Sequence, residues 1–205
     1  MITTTRINFD KLHGLIPVCV QDHETLQVLM IGFMNEEALL QTLETRFVTF
    51  YSRSKQRLWT KGESSGNYLT VVNMALDCDE DSLLILAKPA GPSCHTGDIS
   101  CFNQDTVMPP VFWLAKLIQV IKNRQNAGKD SYTYQLITSG INRMAQKVGE
   151  EAVEVAIAAV VGNQEDIAGE SVDLLYHLLV LLTAKQIPLQ SLADIIQERM
   201  LKLKP

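Results

Sequence analysis

Over the first 105 residues the apolar positions fall in short, strand-length runs. Residues 15–20 and 26–33 are apolar and are parted by a polar turn at 21–25. Residues 47–51, 69–76 and 82–87 are rich in Val, Thr and aromatic side chains, and each run predicts a β-strand. One helix interrupts them: Asn35 has N-cap character, Glu36 and Glu37 follow in a first turn, and the helical pattern lasts to about residue 44. The glycine- and serine-rich stretch at 62–67 predicts a loop, and Pro89-Ala90-Gly91-Pro92 ends the last strand. From residue 111 the spacing changes to that of helices, predicted over 111–126, 141–161 and 164–184, with a last one from Pro188 to about 203. The period changes near 103–110, where Met108-Pro109-Pro110 suits neither a helix nor a central strand. The pattern therefore predicts a β-rich α+β domain over 1–105, a linker at 106–110 and an all-α domain over 111–205.

A hydrophobic fraction of 46% over 205 residues excludes a wholly disordered chain. No uninterrupted apolar run approaches 18 residues and residues 1–10 carry no apolar signal core, so a cytoplasmic protein without a membrane partner is expected. The net charge is −5, with 8 Lys+Arg against 13 Asp+Glu over 1–105 and 10 against 10 over 106–205. That balance argues against nucleic acid as a partner, which calls for a basic surface. It leaves open a small phosphorylated substrate held through metal ions.

All four cysteines lie in the first half, and in a cytosolic chain clustered cysteines point to metal or catalysis before disulfides. Cys19 falls in an apolar strand and reads as core. Cys78, Cys94 and Cys101 offer three soft thiolates, the number of protein ligands in a catalytic zinc site; His95 would then be a fourth ligand or a base beside the zinc-activated water. Three unrelated buried thiols would give the same spacing. Cys78 is embedded in Asp77-Cys78-Asp79-Glu80-Asp81. In an extended strand Asp77, Asp79 and Asp81 share one face and Cys78 takes the other. Three carboxylates so placed suit a hard cation such as Mg²⁺, or form a solvated acidic turn. Arg53, Lys55, Arg57 and Lys61 flank Trp59 and the 62–67 loop. This arrangement fits either a phosphate-binding loop or a basic surface hairpin.

Taken together, these pieces resemble phosphoribosyl-AMP cyclohydrolase, an enzyme of histidine biosynthesis, over residues 14–102. The resemblance is carried by Gly14-Leu15-Ile16-Pro17, Ser52-Arg53-Ser54, Leu58-Trp59-Thr60-Lys61-Gly62-Glu63, Ser65-Gly66-Asn67, Asp77 to Asp81, Cys94-His95-Thr96-Gly97 and Ser100-Cys101-Phe102, in that order. It implies magnesium at Asp77, Asp79 and Asp81. It also implies zinc at Cys78, Cys94 and Cys101, shared between the chains of a homodimer. His95 becomes the candidate for proton transfer, and Arg53, Trp59 and Lys61 the candidate substrate contacts.

In the second half, Glu150, Glu151 and Glu154 share one helix face, and Glu170 and Asp173 form an i, i+3 pair on the next helix. Their apolar neighbours Val155, Ala156, Ile157, Val172 and Leu174 set them apart from an ordinary polar face. Two readings stand: Mg²⁺ held between facing helices, or exposed Glu paired with Lys. His177, on a leucine-rich face, reads as a hydrogen-bonded core histidine rather than a catalytic one. Asp130-Ser131-Tyr132-Thr133, Lys147-Val148-Gly149-Glu150-Glu151 with Glu154, and Glu170 to Leu178 resemble phosphoribosyl-ATP pyrophosphatase, of the all-helical nucleoside triphosphate pyrophosphohydrolases.

The whole chain thus resembles the fused bifunctional enzyme. The implied order is cleavage of phosphoribosyl-ATP to phosphoribosyl-AMP and pyrophosphate by the C-terminal domain, with Glu151, Glu154, Glu170 and Asp173 holding magnesium and Glu150 a candidate base. The N-terminal domain then opens the adenine ring of phosphoribosyl-AMP by zinc-activated water attack at C6. A zinc nucleoside deaminase fused to a nucleotide pyrophosphatase is the nearest rival, but its H-x-E…P-C-x-x-C signature is absent. A zinc-stapled binding module on a helical dimerisation domain would instead want a fourth zinc ligand.

Overall fold

The computed structural model describes residues 7–102 and 110–202. The chain forms two compact units, 1–113 and 114–205. The first holds β1 (Ile16–Asp22), β2 (Val28–Met34), α1 (Glu36–Thr45), β3 (Thr49–Ser52), β4 (Arg57–Thr60), β5 (Leu69–Leu76) and β6 (Leu83–Pro89), preceded by a 3₁₀ turn at Phe9–Leu12. The helices are α2 (Pro110–Arg124), α3 (Tyr132–Thr138), α4 (Ile141–Val161), α5 (Gln164–Ala184) and α6 (Leu189–Lys202). The β-rich and all-helical halves expected from the pattern are both present. The expected linker falls mostly on residues outside the described ones.

In the first unit a four-stranded sheet runs in the order β2-β1-β6-β5, with β1 and β6 parallel and the outer pairs antiparallel. Along β1 burial alternates: Ile16, Val18 and Val20 face the core while Pro17, Cys19 and Gln21 face away. Cys19 is thus half-buried on the opposite face of β1 from the core set. Val18 and Val20 sit opposite Leu83 and Ile85 of β6, so both strands commit their apolar residues to one side. Helix α1 covers that side with Ala38, Leu39 and Thr42. It starts where expected, because the Asn35 side chain accepts the Ala38 N–H at 2.9 Å. Each fully buried Val, Leu, Ile or Phe of this core contributes about 1.5–3 kcal/mol.

The hairpin of β3 and β4 is paired apart from the main sheet. Strand β4 is absent from the pattern-based reading because four residues, Arg57-Leu58-Trp59-Thr60, offer too short an alternation among flanking cations. Phe50, 1% exposed, lies so close to Gly32 of β2 that a methyl group there would overlap its ring. Gly32→Ala is therefore expected to lower the stability of the first unit by about 1–3 kcal/mol, read as an earlier thermal transition.

In the second unit α4 and α5 match the predicted bounds and are joined through Gly162 and Asn163. Asn163 and Asp166 form a reciprocal capping box, with the Asn163 side chain accepting from Asp166 N at 3.1 Å and Asp166 accepting from Asn163 N at 2.9 Å. Helix α3, seven residues capped by Ser131, is an addition to the expected set; its Tyr and Thr residues are weak helix formers. The buried core is small, comprising Ile121, Leu136, Met144 and Val180. Val153, Ile157, Val160, Val161 and Val172 remain more than half exposed. By length and mean hydropathy α5 could cross a membrane. The uninterrupted-run criterion passes over it because Glu170, Asp173 and His177 punctuate its sequence.

Candidate active sites

The acids of the first unit are gathered by a turn. Strand β5 ends at Leu76, and residues 77–82 reverse the chain into β6, with Glu80 in the left-handed region at φ 61°. This corrects the alternating-strand placement. The Asp77 side chain accepts the N–H groups of Asp81 and Ser82 at 3.0 and 3.1 Å, and the Asp77 N–H donates to the Ser82 carbonyl. Desolvation works against ionisation of Asp77, but these N–H groups win and hold its carboxyl below the usual range. Asp77, Asp79 and Asp81 each bring a carboxylate oxygen within 4.8 Å of the others.

The Lys11 ammonium, on the 3₁₀ turn, donates to Asp79 Oδ2 at 2.7 Å and Asp81 Oδ2 at 3.0 Å. No sequence signal marks Lys11, which lies 68 residues from Asp79. Its ammonium offsets two of the three carboxylates, and the oxygen-only donors of the cluster are of the kind that suit Mg²⁺.

The cysteine loop is tied shut. The Cys94 N–H donates to the Asp98 carbonyl at 3.0 Å, the Thr96 hydroxyl to Asp98 Oδ2 at 2.7 Å, and the Cys101 N–H to the Leu29 carbonyl of β2 at 2.8 Å. Ser100 adds a bond from its hydroxyl to the Val28 carbonyl at 2.6 Å. Hydrogen bonding from Thr96 lowers the Cys94 thiol's pKa, whereas burial and the neighbouring Cys94 raise that of Cys101. Cys78 has its contact elsewhere, with Asp79 Oδ1 at 4.0 Å, and the three thiols do not form a set within 4.8 Å. One chain thus joins two of the three predicted zinc ligands. His95 is exposed, with Nδ1 3.7 Å from Cys94 Sγ.

The candidate substrate contacts part ways. Lys61 is only 7% exposed: its ammonium donates to the Asn67 carbonyl at 3.3 Å and interacts with the Cys94 and Cys101 thiols. Burial pulls its pKa down. Trp59 stacks on Phe50 with centroids 5.6 Å apart. Exposed Arg53 lies over the Phe33 ring at 3.8 Å.

In the second unit, Glu151 and Glu154 of α4 and Glu170 of α5 place carboxylate oxygens within 4.8 Å of one another. Exposed Asp173, one turn beyond Glu170, is outside that set. Buried Glu151 receives the Lys147 ammonium at 2.6 Å, in the i, i+4 order that helices favour less. Lys147 keeps the Glu151 carboxyl below the usual range against desolvation, while Glu151 and Glu170 push that of Glu154 up. Glu150 turns to other partners: Lys147 at 3.1 Å, Arg143 at 3.3 Å and Gln146 at 2.7 Å. These hold its carboxyl low, a poor setting for a base. His177 is buried and hydrogen-bonded at both ring nitrogens, to Tyr132 and to the Asp173 carbonyl.

Comparison with known proteins matches the two units separately and in order. The family model for phosphoribosyl-AMP cyclohydrolase covers residues 30–103, and that for phosphoribosyl-ATP pyrophosphohydrolase covers 114–200. The histidine biosynthesis bifunctional protein HisIE of Vibrio cholerae is 50% identical over 96% of this chain and 94% of its own. Its namesakes from Bacteroides thetaiotaomicron and Campylobacter jejuni are 51% and 50% identical over 94% and 95% of this chain, and 95% and 94% of theirs. The chain belongs to this family of bifunctional histidine-biosynthesis enzymes, in which a phosphoribosyl-AMP cyclohydrolase domain precedes a phosphoribosyl-ATP pyrophosphohydrolase domain.

Proposed function

We propose that the two reactions run at two active sites of different metal chemistry, in a cytoplasmic homodimer. The second unit acts first. Glu151, Glu154 and Glu170 would hold Mg²⁺, with exposed Asp173 one turn beyond Glu170. The carboxylate trio across α4 and α5 carries this reading. Mg²⁺ held there would neutralise the triphosphate charge for hydrolysis of the α–β phosphoanhydride bond, in which a P–O bond to water forms, the bridging P–O bond breaks, and pyrophosphate leaves phosphoribosyl-AMP. Glu150, paired with three neighbours, anchors Lys147 instead of taking a proton.

The first unit then takes phosphoribosyl-AMP. Cys94 and Cys101 of one protomer, with Cys78 of the other, hold zinc, and Asp77, Asp79 and Asp81 hold Mg²⁺ beside the substrate phosphates. Zinc, when bound, lowers the pKa of its water to about 7 for attack at C6 of the adenine ring. His95 moves the proton, the Lys61 ammonium favours the thiolate form of its neighbour Cys101 against burial, and Arg53 and Trp59 border the substrate. The three thiols of one chain do not all lie within 4.8 Å of one another, and this supports sharing. The exposed valines and isoleucine of α4 and α5 support burial by a second copy. Unpaired thiols in a ligand role suit the reducing cytoplasm.

Co-expression of Cys78→Ser and Cys94→Ser chains tests the sharing. Each homodimer is inactive as a cyclohydrolase, but a mixed dimer keeps one intact site of two. A statistical mixture therefore recovers about a quarter of wild-type activity. No recovery would place all three ligands in one chain.

A further inference from the structure

Next to the carboxylate trio lies a buried hydrogen-bonded chain that the proposed chemistry does not use. His177 of α5 is 5% exposed. Its Nδ1 is 2.9 Å from the Asp173 carbonyl oxygen, and its Nε2 is 3.0 Å from the Tyr132 hydroxyl of α3. A carbonyl oxygen only accepts, so Nδ1 carries the hydrogen; in the neutral ring Nε2 then accepts from Tyr132. The same Nδ1 stands 3.5 Å from Glu151 Oε1, a longer second branch. Beside it the Thr133 and Tyr176 hydroxyls bond at 2.8 Å, and the Tyr132 and Tyr176 rings stack with centroids 6.2 Å apart. Helix α3 is therefore pinned to α5 by two adjacent side-chain bonds, and one of them ends beside Glu151.

A core histidine needing only burial of its ring would be satisfied by apolar neighbours and the one bond to Asp173. This one has its tautomer set from both ends, and the same Nδ1 that bonds the Asp173 carbonyl lies 3.5 Å from a carboxylate oxygen of Glu151. Outer partners of metal-ligating side chains act in this way, by limiting the rotamers of the ligand. Glu151 has two such neighbours. Lys147 contributes charge on a flexible stem at 2.6 Å, and His177 contributes a rigid ring from the facing helix, its Nδ1 3.5 Å from Glu151 Oε1.

We propose that the Tyr132–His177 pair is a positioning device for the pyrophosphohydrolase site, fixing the Glu151 carboxylate toward Glu154 and Glu170. The inference rests on the reading of that trio as a divalent-cation site. Mn²⁺ is the probe, titrated against the full-length chain by the electron paramagnetic resonance of free Mn²⁺. Asp79→Asn and Asp81→Asn are introduced throughout to remove the carboxylates of the first unit. His177→Phe is expected to weaken Mn²⁺ binding about 10–100-fold, the usual cost of losing an outer partner. His177→Asn, whose amide N–H falls near the Nδ1 position, should recover most of the affinity. Tyr132→Phe, which keeps the ring and loses the hydroxyl, should fall between. In turnover of phosphoribosyl-ATP the metal requirement should rise in the same order.

Equal Mn²⁺ affinity in wild type, His177→Asn and Tyr132→Phe, with only the melting temperature lowered in His177→Phe, would make the pair a packing element and overturn the proposal. If Glu151→Gln bound Mn²⁺ as wild type does, the metal reading itself would fall. If His177→Phe does not fold, His177→Asn and Tyr132→Phe decide: Tyr132→Phe weaker than wild type supports the pair, and equal affinity overturns it.

Discussion

Glu151→Gln is expected to abolish release of pyrophosphate from phosphoribosyl-ATP while leaving turnover of supplied phosphoribosyl-AMP intact. Glu151 is the buried member of the trio, 4% exposed, and the one contacted by both Lys147 and His177. The amide keeps the shape and removes the charge. Metal-ion stabilisation of a polyanionic transition state is worth several kcal/mol, and each ~1.4 kcal/mol is tenfold in rate. The loss should thus reach about 10³-fold or more. The cyclohydrolase should be untouched, because Asp77, Asp79, Cys94 and His95 all belong to the other compact unit. Parallel assays of pyrophosphate from one substrate and ring opening of the other, on the same preparation, read both numbers. A fall in both in a folded protein would show that the reactions are not divided between the units.

How much of this was legible in the sequence depends on how local each cause is. Helices α4 and α5 could be read to the residue, because Gly162 and the capping Asn163 stop one and start the other within two positions. The start of α1 was equally local, a single Asn35 side chain bonding three residues ahead. Strand β4 and helix α3 are too short for a period to show; β4 is held by its hairpin partner β3, with Phe50 against Trp59, and α3 by Tyr176 and His177 far along the chain. At the sites, residue identity marked the ligands but geometry came from elsewhere. The three aspartates meet through a turn closed by Asp77, and Lys11 reaches them across 68 residues. Lys61 reads as a phosphate contact or a surface cation, and it is buried with two thiols nearby. Asp173 keeps helical spacing with Glu170, yet stands outside the trio. Spacing along one helix does not say which turn faces the neighbouring helix.

Cys94→Ser and His95→Asn, adjacent in the chain, should fail in different ways. Cys94 has a thiol whose pKa is lowered by Thr96, and it lies beside Cys101, whose pKa is raised by burial and by Cys94 itself. Two neighbouring thiols are costly to ionise together unless cations share the site. Lys61 supplies one positive charge there, and zinc would supply two more. Serine does not ionise in that range, so Cys94→Ser should lose zinc and cyclohydrolase activity together, from an expected content of about one zinc per chain. His95 is exposed, with its Nδ1 3.7 Å from Cys94 Sγ, and because three thiolates already supply the protein ligands of a catalytic zinc site it is assigned to proton transfer. His95→Asn should therefore keep its zinc and lose about 10²–10⁴-fold in rate, with an altered pH profile. Zinc analysis of the purified variants separates the alternatives. Metal loss from His95→Asn would make His95 a ligand, and a near-normal rate would reduce it to part of the loop's scaffold.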